Sequence, residues 1–184
     1  MTGFRHLGDT DVHAGYVWKV VRAEFEAPGG EVFRRDIVRS PGAVAVVPLV
    51  FDAEGLPSVV LLSQYRPPYE RNVIEIPAGM RDVPGEPAVE TGRRELVEEA
   101  GLQAGAMDHL VDIFPSPGMT DSICSVFLAT ECTPIDHDRQ GPEEEAMELL
   151  HLPLVDALDL IDRGDINDAK TVAGLLATDR RLRA

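Results

Sequence analysis

Between Pro87 and Gly101 the chain packs three glutamates, Glu95, Glu98 and Glu99, into little more than one turn of what its punctuation marks as a helix. Proline is favoured at a helix start, where its missing N–H is not needed, and glycine where the backbone turns left-handed at the end. At about 100° per residue, Val89, Leu96 and Ala100 fall on one side and the three acids on another. One face is built to pack and the other presents carboxylates. Like charges at such spacing destabilise a helix by about 0.2–0.5 kcal/mol per pair, and Arg94, four residues before Glu98, offsets only part of that. Taken alone, a Glu-rich face reads as solvated surface. The alternative is a site for divalent cations, which would neutralise the acids, polarise a phosphate and acidify an attacking water.

The rest of the chain is mostly strand-like. Two apolar runs, 43–47 and 58–64, are continuous rather than alternating, the pattern of central strands buried on both faces. Segments 16–26 and 31–39, joined by Ala27-Pro28-Gly29-Gly30, predict an antiparallel hairpin. Shorter strands are expected at 71–77, 110–114 and 123–129, and further helices at 154–163 and from Asp168 to the Arg-rich end. Strands gathered before and between a few helices predict an α/β fold, a mixed sheet sandwiched by helices, preceded by the N-terminal hairpin.

A chain of 184 residues, 44% of them hydrophobic, is long enough to bury a substantial core as one domain. Its net charge of −15 opposes binding to a nucleic-acid polymer and suits hard cations, which prefer oxygen ligands. Cys124 and Cys132 form no CxxC pattern and read as reduced core thiols. The first eleven residues hold no apolar segment, and the longest apolar run, 43–51, is interrupted by Pro48 and too short to span a bilayer. A cytoplasmic protein that does not engage a membrane is expected.

At larger scale, residues 79–102, GMRDVPGEPAVETGRRELVEEAGL, resemble the Nudix box, G-x5-E-x7-R-E-U-x-E-E-x-G-U with U aliphatic. Every fixed residue is present; the one departure is six residues instead of five between Gly79 and Glu86, an insertion near Pro84-Gly85. The resemblance implies the Nudix α/β/α sandwich and hydrolysis of nucleoside diphosphates linked to another moiety, with magnesium as cofactor and manganese as its alternative. By the same resemblance Glu95 and Glu99 bind metal, Glu98 binds metal or water, Arg94 orients Glu98, and Glu86 supports the box.

Features outside the box resemble the ADP-ribose pyrophosphatase branch. Pro117, in Pro115-Ser116-Pro117-Gly118, lies sixteen residues after Gly101, where that branch has its distinguishing proline. Glu75-Ile76-Pro77-Ala78-Gly79 matches its E-x-P-A-G segment, in which the alanine carbonyl is a metal ligand, so Ala78 inherits that role. Gln64-Tyr65-Arg66 matches a strand-end element whose arginine reaches the substrate's phosphates, a task suited to a planar guanidinium fork. Trp18 lies in the hairpin that the branch exchanges across a homodimer; it either stacks on adenine or packs in the core, and Arg35 is a neighbour for the same ligand. Glu143, Glu144 and Glu145 occupy the loop that carries the branch's catalytic glutamate. Glu144 is favoured as base, with Glu143 and Glu145 as alternatives, Glu145 also as a metal ligand. Ser122 departs from the glutamate usual in close relatives, at a position expected to meet the ribose region.

The resemblance divides the chain into residues 1–40, a β region for dimerisation, and 41–184, the hydrolase domain. It favours ADP-ribose as substrate, cleaved to AMP and ribose 5-phosphate. Another nucleoside diphosphate sugar, an oxidised nucleotide, or a nucleotide sensor without turnover are the competing readings.

Overall fold

The structure, a computed structural model, describes residues 3–51, 55–136 and 146–184. The chain forms two compact units: one runs up to Gly42 and includes Phe114–Ile123, the other comprises Ala43–Ile113 and Cys124–Ala184.

In the first unit, β1 (Arg5–Ala14), β2 (Lys19–Glu26) and β3 (Val32–Arg39) make an antiparallel sheet in that order. The expected hairpin is present as β2 and β3, paired from Lys19↔Arg39 to Glu26↔Val32. Its turn closes through Gly30 N–H to the Ala27 carbonyl, with Gly30 left-handed at φ 87. Strand β1 had no apolar alternation to announce it, and all ten of its residues are exposed. It is held by its ladder to β2 and by cross-strand ion pairs such as Arg5 with Glu26. The segment 114–123 joins the same unit: Thr120 bridges Val38, its hydroxyl donating to the Val38 carbonyl, and Val38 N–H donates to Met119. Arg39 then ties Asp9 and Asp121 to one guanidinium.

The second unit is built on a seven-stranded mixed sheet. Its strands are β4 (Ala43–Phe51), β5 (Pro57–Arg66), β6 (Arg71–Glu75), β7 (Ala78–Met80), β9 (Ala106–Ile113), β10 (Cys124–Thr130) and β12 (Glu148–Pro153), while β8 (Leu102–Gln103) and β11 (Thr133–Pro134) pair separately. The main order is β12-β5-β4-β10-β9, and β4 with β10 is the parallel pair. The two apolar runs are indeed the central strands. Helices α1 (Ala88–Ala100), α2 (Leu154–Asp162) and α3 (Ala169–Leu182) complete the described part of this unit.

Strand alternation distributes the two faces. Ala45, Val47 and Leu49 of β4 pack with Leu154, Ala157 and Leu175 of α2 and α3, whereas Val46 packs with Leu96 and Ala100 of α1. The result is the α/β/α sandwich expected from the sequence. Close approach of α3 depends on Gly174, where an added Cβ would lie 2.8 Å from Val47 Cγ2. Pro87 caps α1 in extended conformation instead of opening it as the first helical residue, and Gly101 ends it left-handed at φ 62.

Strands β4 and β5 share a ladder only at Leu49–Phe51 opposite Pro57–Val59. Beyond it they diverge: the start of β4 pairs with β7 and the end of β5 with β6. Residues 75–79 bridge that split, held by Val46 N–H donating to the Pro77 carbonyl at 2.8 Å. Among the described residues no helix is long and apolar enough to cross a membrane. Both cysteines are free, and burial pushes each thiol up to about 11, so they stay protonated and inert at neutral pH.

Candidate active site

Two of the three clustered acids do not face solvent. Glu95 and Glu99 are 8% and 4% exposed, buried against the segment that spans the split in the sheet. Glu99 Oε2 accepts the Ala78 N–H at 2.8 Å. Glu95 lies directly over Gly79, whose missing side chain makes the room: a Cβ there would be 2.0 Å from the Glu95 carboxyl carbon. The solvated-surface reading therefore fails for these two, because burying carboxylates is costly unless they are paired or bind a cation.

Arg94 is the cation shared among them. Its Nη1 lies 2.8 Å from Glu95 Oε1 and 2.9 Å from Glu98 Oε2, while Nη2 is 3.8 Å from Glu86. Burial alone would lower the Arg94 pKa, but the charges of Glu95, Glu98 and Glu86 outweigh it and raise it. Arg94 Nε and Nη2 are buried without hydrogen-bond partners among the described residues. Glu86 accepts the Thr91 hydroxyl at 2.7 Å, tying the loop before α1 to its first turn. The insertion at Pro84-Gly85 leaves this anchor in place.

Arg66, at the end of β5, meets Glu75 side-on: Nε donates to Oε1 at 2.6 Å and Nη2 to Oε2 at 2.9 Å. Hydrogen bonding to Glu75 raises the arginine's pKa against the effect of burial, helped by the charges of Glu75, Glu99 and Asp168. Burial pushes the Glu75 carboxyl up, yet Arg66 and Lys170 together hold it below the usual carboxylate range. Lys170 forms an ion pair with Glu75 and another with Asp168 at 3.0 Å. Asp168 caps α3 by accepting Thr171 N–H and the Thr171 hydroxyl, and Thr171 Oγ1 in turn accepts Ile76 N–H at 2.9 Å. Sequence reasoning missed Lys170, Asp168 and Thr171. They stand about a hundred residues from Glu75, and only the N-cap signal of Asp168 was visible.

In the first unit, Arg35 and Pro117 line one cavity of about 530 Å³ with Phe25, Phe33, Ile37 and Met119. Phe25 and Phe33, opposite each other in the ladder, stack at 5.6 Å, and the Arg35 guanidinium sits 4.9 Å from the Phe33 ring centre. The aromatic pair was legible only as apolar positions on facing strands. Trp18 does not join them. It is 58% exposed, and the ladder sets Arg35 opposite Ala23, five residues further along β2. Ser122 is half-buried, its N–H donating to the Thr120 hydroxyl at 3.1 Å. Glu143, Glu144 and Glu145 lie outside the described residues.

The acids of α1 carry more negative charge than Arg94 supplies, and carboxylate oxygens are the donors that a hard divalent cation takes. Among the described residues no three acids or imidazoles already converge around a cation-sized point.

The sequence profile of the NUDIX domain family matches residues 40–175. The chain belongs to the Nudix family. Two relatives are 36% identical to this Nudix hydrolase. An ADP-ribose pyrophosphatase of Bacillus subtilis aligns over 90% of the chain and 86% of its own length. An ADP-ribose pyrophosphatase of Mycobacterium tuberculosis aligns over 95% and 82%. A crystal structure of an ADP compounds hydrolase superposes with a TM-score of 0.79 at 26% identity, covering 98% of this chain and 94% of that one. The Nudix box read from the sequence is thus the α1 segment with its buried acids, and Gly79 is the box's first fixed residue.

Proposed function

We propose that this Nudix hydrolase cleaves the diphosphate linkage of a nucleoside diphosphate derivative, with ADP-ribose, giving AMP and ribose 5-phosphate, as its substrate. The observation that carries the reading is the buried pair Glu95 and Glu99, held against Ala78 and Gly79 where β4 and β5 part. The names of the Bacillus and Mycobacterium relatives support the choice of ADP-ribose.

Magnesium, or manganese in its place, would be held by Glu95, Glu99, Glu98 and the Ala78 carbonyl, with Glu145 a further ligand. When bound, such a cation polarises a phosphate oxygen and lowers the pKa of water. Arg94 holds Glu98 in place through their 2.9 Å bond. Arg66 offers the phosphates the guanidinium edge that Glu75 leaves open, Nη1 and the second hydrogen of Nη2. Glu144, or Glu143, withdraws the proton from the attacking water. Within the first unit, the cavity lined by Arg35 and Pro117 offers a base the stacking faces of Phe25 and Phe33, and Trp18 offers another stacking surface.

Incubation with magnesium and a panel of nucleoside diphosphate derivatives, followed by assay of released phosphomonoesters, tests the reading. Release from ADP-ribose that stops with EDTA and returns with magnesium is expected. Faster release from another nucleoside diphosphate sugar would shift the substrate, the outcome that Ser122 favours. Binding of ADP-ribose without any release would replace the enzyme by a sensor.

Residues 1–40 are proposed as the dimerisation region of a homodimer whose hydrolase domain is 41–184. Strand β1 is a fully exposed edge carrying Leu7 and Val12, with Phe4 just before it, and unpaired edges and apolar surface invite a second chain. Light scattering should give twice the chain mass, and removal of residues 1–14 should give a monomer. A full-length monomer at micromolar concentration would sink this assignment.

A further inference from the structure

Glu75 is one carboxylate serving two cations, and the second of them stands on a helix that none of the recognised motifs includes. Lys170, at the start of α3, is 15% exposed, and the Glu75 side chain is 4% exposed. Its ammonium pairs with Glu75 and lies 3.0 Å from Asp168 Oδ2. Arg66, Glu75, Lys170 and Asp168 therefore form a partly buried cluster of two cations and two anions. Removing Lys170 leaves Arg66 to neutralise Glu75, and the arginine's charge is then consumed by its own neighbour. With Lys170 in place, the cluster balances to zero instead of carrying a net negative charge, while Arg66 keeps its side-on geometry and an outer edge that Glu75 does not occupy.

We propose that Lys170 is a positioning residue for diphosphate binding, acting through Glu75 to keep Arg66 oriented and electrostatically available. The inference rests on the reading of Arg66 as a phosphate donor. The wiring supports it: the Asp168 cap and the Thr171–Ile76 bond fix the start of α3 to the same 75–79 segment that carries Ala78 and Gly79. The C-terminal helix thereby sets the electrostatics of a site whose box lies on another helix.

Titration with α,β-methylene-ADP, whose P–C–P bridge resists hydrolysis, reads binding apart from turnover. Lys170→Gln, which keeps polarity and loses charge, is expected to weaken binding by roughly fivefold to tenfold, and Lys170→Arg to restore it, since neighbours in one charged network couple strongly. Asp168→Asn preserves the helix cap but frees Lys170 from its second partner, and is expected to tighten binding by about twofold. A merely structural role predicts that both neutral substitutions weaken binding. In turnover, Lys170→Gln should raise KM by a similar factor with kcat within about threefold.

Wild-type affinity in Lys170→Gln, or weakening in Asp168→Asn, would overturn the proposal; should Lys170→Gln not fold, Asp168→Asn and Lys170→Arg still decide it. Arg66→Ala separates the two layers. If it binds as wild type does, the reading of Arg66 falls; if it loses binding while Lys170→Gln does not, only the role of Lys170 falls.

Discussion

Glu99→Gln is expected to lower kcat by roughly 10²–10³-fold, the scale on which single preorganised electrostatic groups contribute, while the melting temperature stays near that of the parent protein. The substitution preserves shape, and its amide oxygen can accept the same Ala78 N–H that Glu99 Oε2 accepts at 2.8 Å. Nothing in the packing of α1 has to change. What is lost is one negative charge from a 4% exposed position, and its removal relieves like-charge repulsion in a cluster where Arg94 already serves Glu95, Glu98 and Glu86. Activity and stability should therefore separate. Steady-state kinetics with magnesium, alongside a thermal melt, checks both halves. A variant with near-parental kcat would mean that the buried acid is structural and that the cation site lies elsewhere.

This separation also shows what was legible beforehand. The spacing of Glu95, Glu98 and Glu99 marked them as a group, and the apolar runs at 43–47 and 58–64 marked the central strands, because continuous burial leaves a continuous hydrophobic signature. Burial of Glu95 and Glu99 was not legible from the helical wheel, which turns them away from Leu96 and Ala100. It comes from tertiary structure: β4 and β5 part, and residues 75–79 fill the gap beneath the acids. Strand β1 was missed because its partners are backbone groups and surface ion pairs, which leave no apolar period. The tie between 114–123 and β3 was hidden for another reason, since a side-chain bond from Thr120 to Val38 spans too much sequence to appear as a local pattern. Lys170 and Asp168 belong to the same class. Local rules read caps and periods, and long-range charge pairing has neither.

Gly79→Ala is the second change with a large expected effect. Gly79 does not occupy the left-handed region, so the backbone can accept alanine, and the consequences are steric alone. The new methyl would fall 2.0 Å from the Glu95 carboxyl carbon and 2.1 and 2.3 Å from its oxygens. Main-chain movement is opposed by the β7 ladder, where Gly79 pairs with Val44, a residue with no exposed surface. The acid must yield instead. Swinging it away breaks its 2.8 Å contact with Arg94 and shifts a proposed metal ligand by an ångström or more. Displacement on that scale costs about 100-fold in rate, while overpacking costs about 1–3 kcal/mol in stability. Combining Gly79→Ala with Glu95→Asp, which shortens the acid by one methylene, should recover most of the stability and little of the rate, because the methyl then fits but the shorter carboxylate no longer reaches its place. Urea unfolding and kcat measured on the same three proteins distinguish these effects. Full activity in Gly79→Ala would show that the position of Glu95 over Gly79 is irrelevant to the chemistry, and that the first fixed glycine of the box serves packing alone.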